Sequence, residues 1–257
     1  MSLPTLSAAQ LKTALVEVGV ETGDGLLVHS ALQFLGQPEG GEAMYLAVLE
    51  EVLGSEGTLA VPAFTFAFAR GEDYDSSVSP SEGMGVFSEL VRQNPRAKRT
   101  SHPMQSLALI GAQADALTAL DTPSAFDDGS AFERMLKDGW KLLLLGAEVQ
   151  AASIVHYSEQ RAAVPYRYWK DFEGRVRGAD GWAKRRYRMF VRDLEIDAQL
   201  KLAPIQALLE ERGQWARTEV NYGQIALCSL QDFVAAADDL LSADPWTLVG
   251  NRESLKL

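Results

Sequence analysis

The chain has one cysteine, Cys228, in 257 residues. An internal disulfide and a thiolate metal cluster are thereby excluded, and the lone thiol is expected in the core. Histidine is almost as scarce: His29, His102 and His156 lie far apart and none shows His-Glu-x-x-His spacing, so no metal is expected. No basic leader opens the sequence, and no stretch approaches the roughly 18 apolar residues of a membrane span. A soluble cytoplasmic protein with no membrane partner is the expectation. Positive charge is also short, 24 Lys and Arg against 35 Asp and Glu, for a net charge of −11. That balance argues against nucleic acid and tolerates a cationic small molecule, although ordinary solubility accounts for the charge equally well. Several familiar site motifs are missing too. There is no phosphate-loop sequence and no Gly-x-Ser-x-Gly elbow, and Gly83-Met84-Gly85 lacks the third glycine of a dinucleotide fingerprint.

What is present is apolar and alternating. A hydrophobic content of 47% suffices for one large domain or two small ones. Ser7 caps a helix, and Gly25 to Ser30 reads as a buried strand entering a loop. A helix over 41–53, a strand over 57–62 and a helix over 85–93 follow. Next come a strand over 106–111 and helices over 112–120 and 130–137. Lys141 to Gly146 is an apolar run closed by glycine, as in a strand covered on both faces. Residues 165–200 are rich in Arg, Lys and aromatics; 185–194 alternates like an exposed β-ribbon, which suggests an insertion subdomain. Helices return at 205–211 and 230–241. The pattern predicts a layered α/β/α domain with a central mixed sheet.

One stretch carries an acid–base signature. His156-Tyr157-Ser158-Glu159 sets an imidazole and a carboxylate three residues apart, on one face of a helix. Glu159 can then hold the tautomer of His156 and stabilise its imidazolium, a base with its orienter. A satisfied core or surface histidine gives the same spacing. Elsewhere, Arg99 to Pro103 precedes a strand, and Gly129-Ser130 opens a helix whose free N–H groups suit an anion, or Ser130 is a plain cap.

Taken in order, Val28 to Leu32 with Leu35-Gly36, Gly57 to Phe64, Gly83 to Arg92, Arg99 to Ser106, Gly129-Ser130, Leu142 to Gly146 and His156 to Glu159 resemble the aminoglycoside 3-N-acetyltransferase family. The resemblance spans nearly the whole chain. It implies acetyl-coenzyme A, or another acyl-CoA, as co-substrate, with His156 as general base and Glu159 as its partner. It also implies that Ser30 lies near the thioester and that Arg99, Ser101, His102, Ser106 and Ser130 help to hold the coenzyme. The chain departs from the commonest pattern at Ala31, where a second serine is frequent, and at Ala131, where proline is.

The acceptor is read as an amine of an amino sugar. Glu72, Asp73 and Asp75 suit a polycationic antibiotic, or are solvated loop charges. Against the antibiotic, the segment from Val164 through Tyr166 and Arg167 to Gly174 resembles a branch linked to surface-polysaccharide synthesis. A nucleotide-linked amino sugar is therefore favoured, with Arg167, Lys170, Arg175 and Arg177 suited to its diphosphate. A sugar- or coenzyme-binding protein without turnover is the alternative of another class, and a homo-oligomer is compatible with the sequence.

Overall fold

The apolar run at 141–145 forms an interior strand of a seven-stranded sheet, and its residues alternate between two cores. The computed structural model describes residues 4–178 and 180–255. In chain order the strands are β1 (Thr5–Leu6), β2 (Gly25–Ser30), β3 (Gln37–Pro38), β4 (Thr58–Pro62), β5 (Tyr74–Asp75) and β6 (Lys98–Arg99). They continue as β7 (Leu107–Gly111), β8 (Lys141–Leu145), β9 (Arg167–Gly178), β10 (Gly181–Arg192), β11 (Ala216–Val220) and β12 (Gly223–Ser229). The helices are α1 (Ala8–Glu17), α2 (Ala43–Leu53), α3 (Gly85–Gln93) and α4 (Ala114–Thr118), then α5 (Ala131–Lys137), α6 (Val155–Arg161), α7 (Ala203–Glu211) and α8 (Leu230–Ala243).

The main sheet runs β11-β12-β8-β2-β4-β7-β6. Only β8, β2 and β4 are mutually parallel; the flanking pairs are antiparallel, so the sheet is mixed. Leu142 and Leu144 face one core with Leu27, Ala60 and Cys228, against Phe132 of α5, Val155 of α6, Ile205 of α7 and Phe233 of α8. Leu143 and Leu145 face the other, with Val28 and Val61, against Leu11 of α1, Leu49 of α2 and Phe87 of α3. This period-two alternation, with both faces apolar, gives the α/β/α layering. At the chain start Ser7 caps α1 through a capping box with Gln10. Among the described residues no helix is long and apolar enough to cross a membrane.

Two sequence expectations need correction. The helix expected over 112–120 is shortened to Ala114–Thr118. Between α7 and α8 the chain makes a β11–β12 hairpin, turning at Asn221 with φ 54°, that extends the sheet beside β8. Ala-Arg-Thr-Glu-Val of β11 is a half-exposed edge with little apolar signal, which is why periodicity passes over it. The aromatic-basic segment is a long antiparallel ribbon, β9 with β10, and β5 adds to it in parallel. From its middle toward its turn the ribbon packs on its own small core of Phe68, Tyr74, Met104, Val176 and Tyr187.

The parallel strands β8, β2 and β4 end at the same edge, and the loops that follow them converge there. The carboxyl edge of parallel strands is where open α/β sheets form crevices. Register at the opposite end is fixed by a close approach: a Cβ on Gly25 would lie 2.3 Å from the ring of Trp140, whose Nε1 donates to Gln113 Oε1 at 3.2 Å. Gly25→Ala is therefore expected to destabilise the fold by about 1–3 kcal/mol through overpacking. Urea unfolding checks this, read as a lowered midpoint with an unchanged slope.

Candidate active site

Helix α6 brings His156 and Glu159 onto one face, with Nδ1 2.6 Å from Oε2. The Glu159 side chain is fully buried and the His156 side chain 29% exposed, so the pair has one end in the core and one in a cavity. The other carboxylate oxygen, Oε1, lies 3.0 Å from Arg167 Nε, an ion pair out of line for a hydrogen bond. Burial opposes ionisation of Glu159, but the hydrogen bond and charge of His156 together with Arg167 outweigh it and hold the carboxyl below its usual range. An ionised Glu159 must receive a proton from Nδ1, which leaves the Nε2 lone pair of a neutral His156 free to act as a base.

The cavity beside His156 has a volume of about 460 Å³. Its polar wall includes His29 and Ser30 from the end of β2, Ser88 of α3, and Gln150 and Ser153 from the loop before α6. Pro62, Phe64, Val155 and Leu202 make it partly apolar, and no Lys or Arg lines it among the described residues. A narrower crevice of about 230 Å³ shares Ser30, Gln33 and Gly85 with it and runs to Tyr45. The Tyr45 hydroxyl is buried without a partner, and burial beside Glu42 pushes it up to about 12. On the other side, sharing Ala31, a groove of about 480 Å³ carries the carboxylates of Glu148 and Glu219 and the rings of Phe34 and Tyr222.

Of the residues expected at the coenzyme, Ser30 lines the cavity. Arg99 does not: its Nε donates to Ser106 Oγ at 3.0 Å, and its terminal nitrogens donate to the Ser79 carbonyl at 2.5 Å, to Thr65 Oγ1 at 2.7 Å and to the Ala63 carbonyl. Ser106 is buried, donating to the Ala63 carbonyl at 2.7 Å. His102 caps a short turn, Nδ1 accepting from the Gln105 N–H at 3.1 Å, with Nε2 3.3 Å from the Arg188 carbonyl. Ser130 accepts from the Glu133 N–H at 3.2 Å as the cap of α5, and Ser101 sits half-buried in the turn after β6.

Two of the three acidic residues are likewise spent on the ribbon. Asp75 holds Ser77 and Arg177, Asp73 pairs with Arg175 at 3.3 Å, and Glu72 is exposed. Tyr166 and Arg167 stand behind Glu159 rather than on the cavity wall; burial and the carboxylate raise the Tyr166 phenol, and Arg167 also donates to the Phe190 carbonyl at 3.2 Å. His29, Ser88, Gln150 and Ser153 are cavity residues that motif reading missed. Only His29, a polar residue near the end of an apolar strand, carried a local signal.

A family model described as aminoglycoside 3-N-acetyltransferase matches residues 27–242. A curated relative, aminoglycoside N(3)-acetyltransferase III from Salmonella sp, is 32% identical over 186 residues, 65% of this chain and 65% of its own. The matched part thus spans just under two thirds of that relative's length. The solved apoenzyme of aminoglycoside acetyltransferase AAC(3)-IVa is similar at TM-score 0.81 and 25% identity, covering 100% of this chain and 96% of its own. AAC-IIIb, solved as a binary complex with CoASH, shares the fold at TM-score 0.82 and 22% identity, covering 93% of this chain and 97% of its own.

Two outcomes are expected from this geometry. Burial holds His29, next to His156, and His102, despite its hydrogen bonds, down to about 4. Above the unfolded value of about 6.5 both are neutral in either state; as pH falls from there to 4 the unfolded chain gains protons that the native state refuses. Stability should fall across that window by about 3 kcal/mol per imidazole. Urea midpoints at pH 7.5 and 4.5 measure it, and His102→Asn, which keeps a cap acceptor without the titration, should lose less. Arg99→Met removes four hydrogen bonds, of whose acceptors the Ala63 carbonyl alone keeps a donor, Ser106 Oγ, and should cost about 3 kcal/mol or more. A variant of wild-type stability with a raised KM for acyl-CoA would instead put Arg99 on the coenzyme.

Proposed function

Because the chain belongs to the aminoglycoside 3-N-acetyltransferase family, we propose that it transfers an acyl group from a coenzyme A thioester to an amine of an amino sugar, with His156 as general base. The observation that carries this reading is the 2.6 Å contact of His156 Nδ1 with the buried Glu159, at the wall of a cavity large enough for both reacting groups. Coenzyme A supplies the activated acyl group and a competent thiolate leaving group. The crevice from Ser30 past Gly85 to the unpartnered Tyr45 hydroxyl fits an uncharged, amide-bearing arm such as pantetheine.

An ammonium cannot attack a thioester. His156 Nε2 takes its proton, and Glu159 stabilises the imidazolium that results. Ser30, which lines the cavity, or backbone N–H groups of its loop donate to the developing oxyanion in this reading. No covalent enzyme intermediate is needed: burial pushes the Cys228 thiol up, and Cys228 belongs to the core under the sheet, so transfer is direct in a ternary complex.

The charges favour a polycationic amino sugar of the aminoglycoside type over a nucleotide-linked one. Arg167, Arg175 and Arg177, expected at a diphosphate, are held by Glu159, Asp73 and Asp75. Glu148 and Glu219 line the groove next to the cavity. Release of free thiol from acetyl-CoA should therefore be seen with aminoglycosides and exceed that with nucleotide-linked amino sugars. His156→Ala should lower kcat by about 10²–10⁴-fold while keeping affinity for acetyl-CoA. Near-wild-type turnover in that variant sinks the assignment of the base, and turnover with nucleotide sugars alone reverses the choice of acceptor.

A further inference from the structure

The cavity holds a second imidazole that the dyad does not use. His29, 6% exposed near the end of β2, turns Nε2 toward Ser153. The Ser153 N–H donates to that nitrogen at 3.4 Å, and Ser153 Oγ lies 3.3 Å from it. A donor aimed at Nε2 requires a lone pair there, so the ring is the neutral tautomer with its proton on Nδ1. Burial, with His156 nearby, keeps it neutral down to about pH 4. Between Oγ and an unprotonated Nε2 the hydrogen bond can run only from O–H to N. The hydroxyl proton of Ser153 is thus committed to His29, and its lone pairs remain for the cavity that Ser153 lines. Ser153 and His156 are held together by the His156 N–H donating to the Ser153 carbonyl at 3.2 Å.

We infer that Ser153 is an amine-positioning and specificity-determining residue: its Oγ accepts one N–H of the acceptor amine while His156 Nε2 takes another proton, and His29 fixes the polarity of the hydroxyl. The inference rests on the acyl-transfer reading above. A primary ammonium has three protons. One goes to His156, one is held by Ser153, and the nitrogen lone pair thus freed is fixed in direction toward the thioester carbonyl carbon, where the C–N bond forms; the C–S bond breaks with its electron pair on the coenzyme A thiolate, which takes up the second proton that the nitrogen sheds as the amide forms. A sugar hydroxyl has a single proton; once it goes to His156, nothing remains for Ser153. The arrangement therefore selects amines over hydroxyls. It also removes Ser153 as an oxyanion donor, leaving that task to Ser30 or backbone N–H groups.

The test compares the wild type with Ser153→Ala, His29→Gln and His29→Leu in steady state, with acetyl-CoA and whichever amine of a panel of aminoglycosides and nucleotide-linked amino sugars the wild type turns over fastest. Ser153→Ala should lose about 10–100-fold in kcat/KM for the amine, the worth of one hydrogen bond to a charged group, with the KM for acetyl-CoA within about twofold. His29→Gln, which keeps an acceptor, should stay closer to the wild type than His29→Leu. Nitrogen-15 NMR of the imidazoles gives a reading that needs no substrate: His29 should carry its proton on Nδ1 and remain neutral from pH 7.5 down to about pH 5. Unchanged amine kcat/KM in Ser153→Ala overturns the inference while the transfer reading stands, and so does an Nε2–H tautomer at His29. A wild type inert toward every amine sinks the transfer reading and this inference together.

Discussion

A carboxylate with no solvent exposure is stable only if its charge is answered on both oxygens, and Glu159 is answered from two directions. His156, three residues earlier in α6, takes one oxygen; Arg167, the first residue of β9, faces the other. The same carboxylate that orients His156 therefore ties α6 to the root of the ribbon. Arg167 in turn donates to the Phe190 carbonyl on β10, so both ribbon strands are fixed relative to the helix. A pair whose partners come from separate elements holds its geometry only when those elements are themselves rigid. Here the buried side of α6 supplies that rigidity through Val155 and Tyr157 in the core.

The sheet determines where the partly exposed end of this pair faces. Because β8, β2 and β4 are parallel, the segments that leave them emerge at one edge: Ala31 to Leu35, Gly146 to Ile154 and Ala63 onward. Each contributes to the cavity, while the antiparallel flanks β12 and β7 send their connections to other places. The ribbon sits apart from that wall. Most of its arginines are paired with carboxylates within the chain, Arg175 and Arg177 with Asp73 and Asp75 and Arg186 with Asp171, and Arg188 stacks 3.6 Å over the Trp169 ring. A strongly basic stretch in an acidic protein can thus be internally neutralised, and its composition says little about ligand charge.

Local patterns were legible in the sequence, and long-range partners were not. The helical spacing of His156 and Glu159, the apolar alternation of β2, β4 and β8, and the caps at Ser7 and Ser130 all depend on neighbours close in sequence. Arg99 shows the opposite case: its acceptors come from residues 63, 65, 79 and 106, and no spacing announces that its donors are taken. The helix start at Gly129-Ser130 is ambiguous for a different reason, since the residue types that bind an anion also cap a helix. The edge strand β11 was missed because a strand with one face in solvent need not be apolar.

The three histidines show how one side chain is given different properties by its surroundings. His29 and His102 are buried where a charge would have neither solvent nor a carboxylate in hydrogen-bond contact, so both are held as neutral acceptors down to about pH 4. His156 keeps part of its ring in the cavity, and the Glu159 carboxylate at Nδ1 fixes its orientation. The charge state of His29 does not follow pH in the neutral range, and that constancy is what allows it to fix the direction of a neighbouring hydroxyl. A half-exposed imidazole oriented by a carboxylate, beside one that stays neutral, gives the cavity two imidazoles of different character in the same small volume.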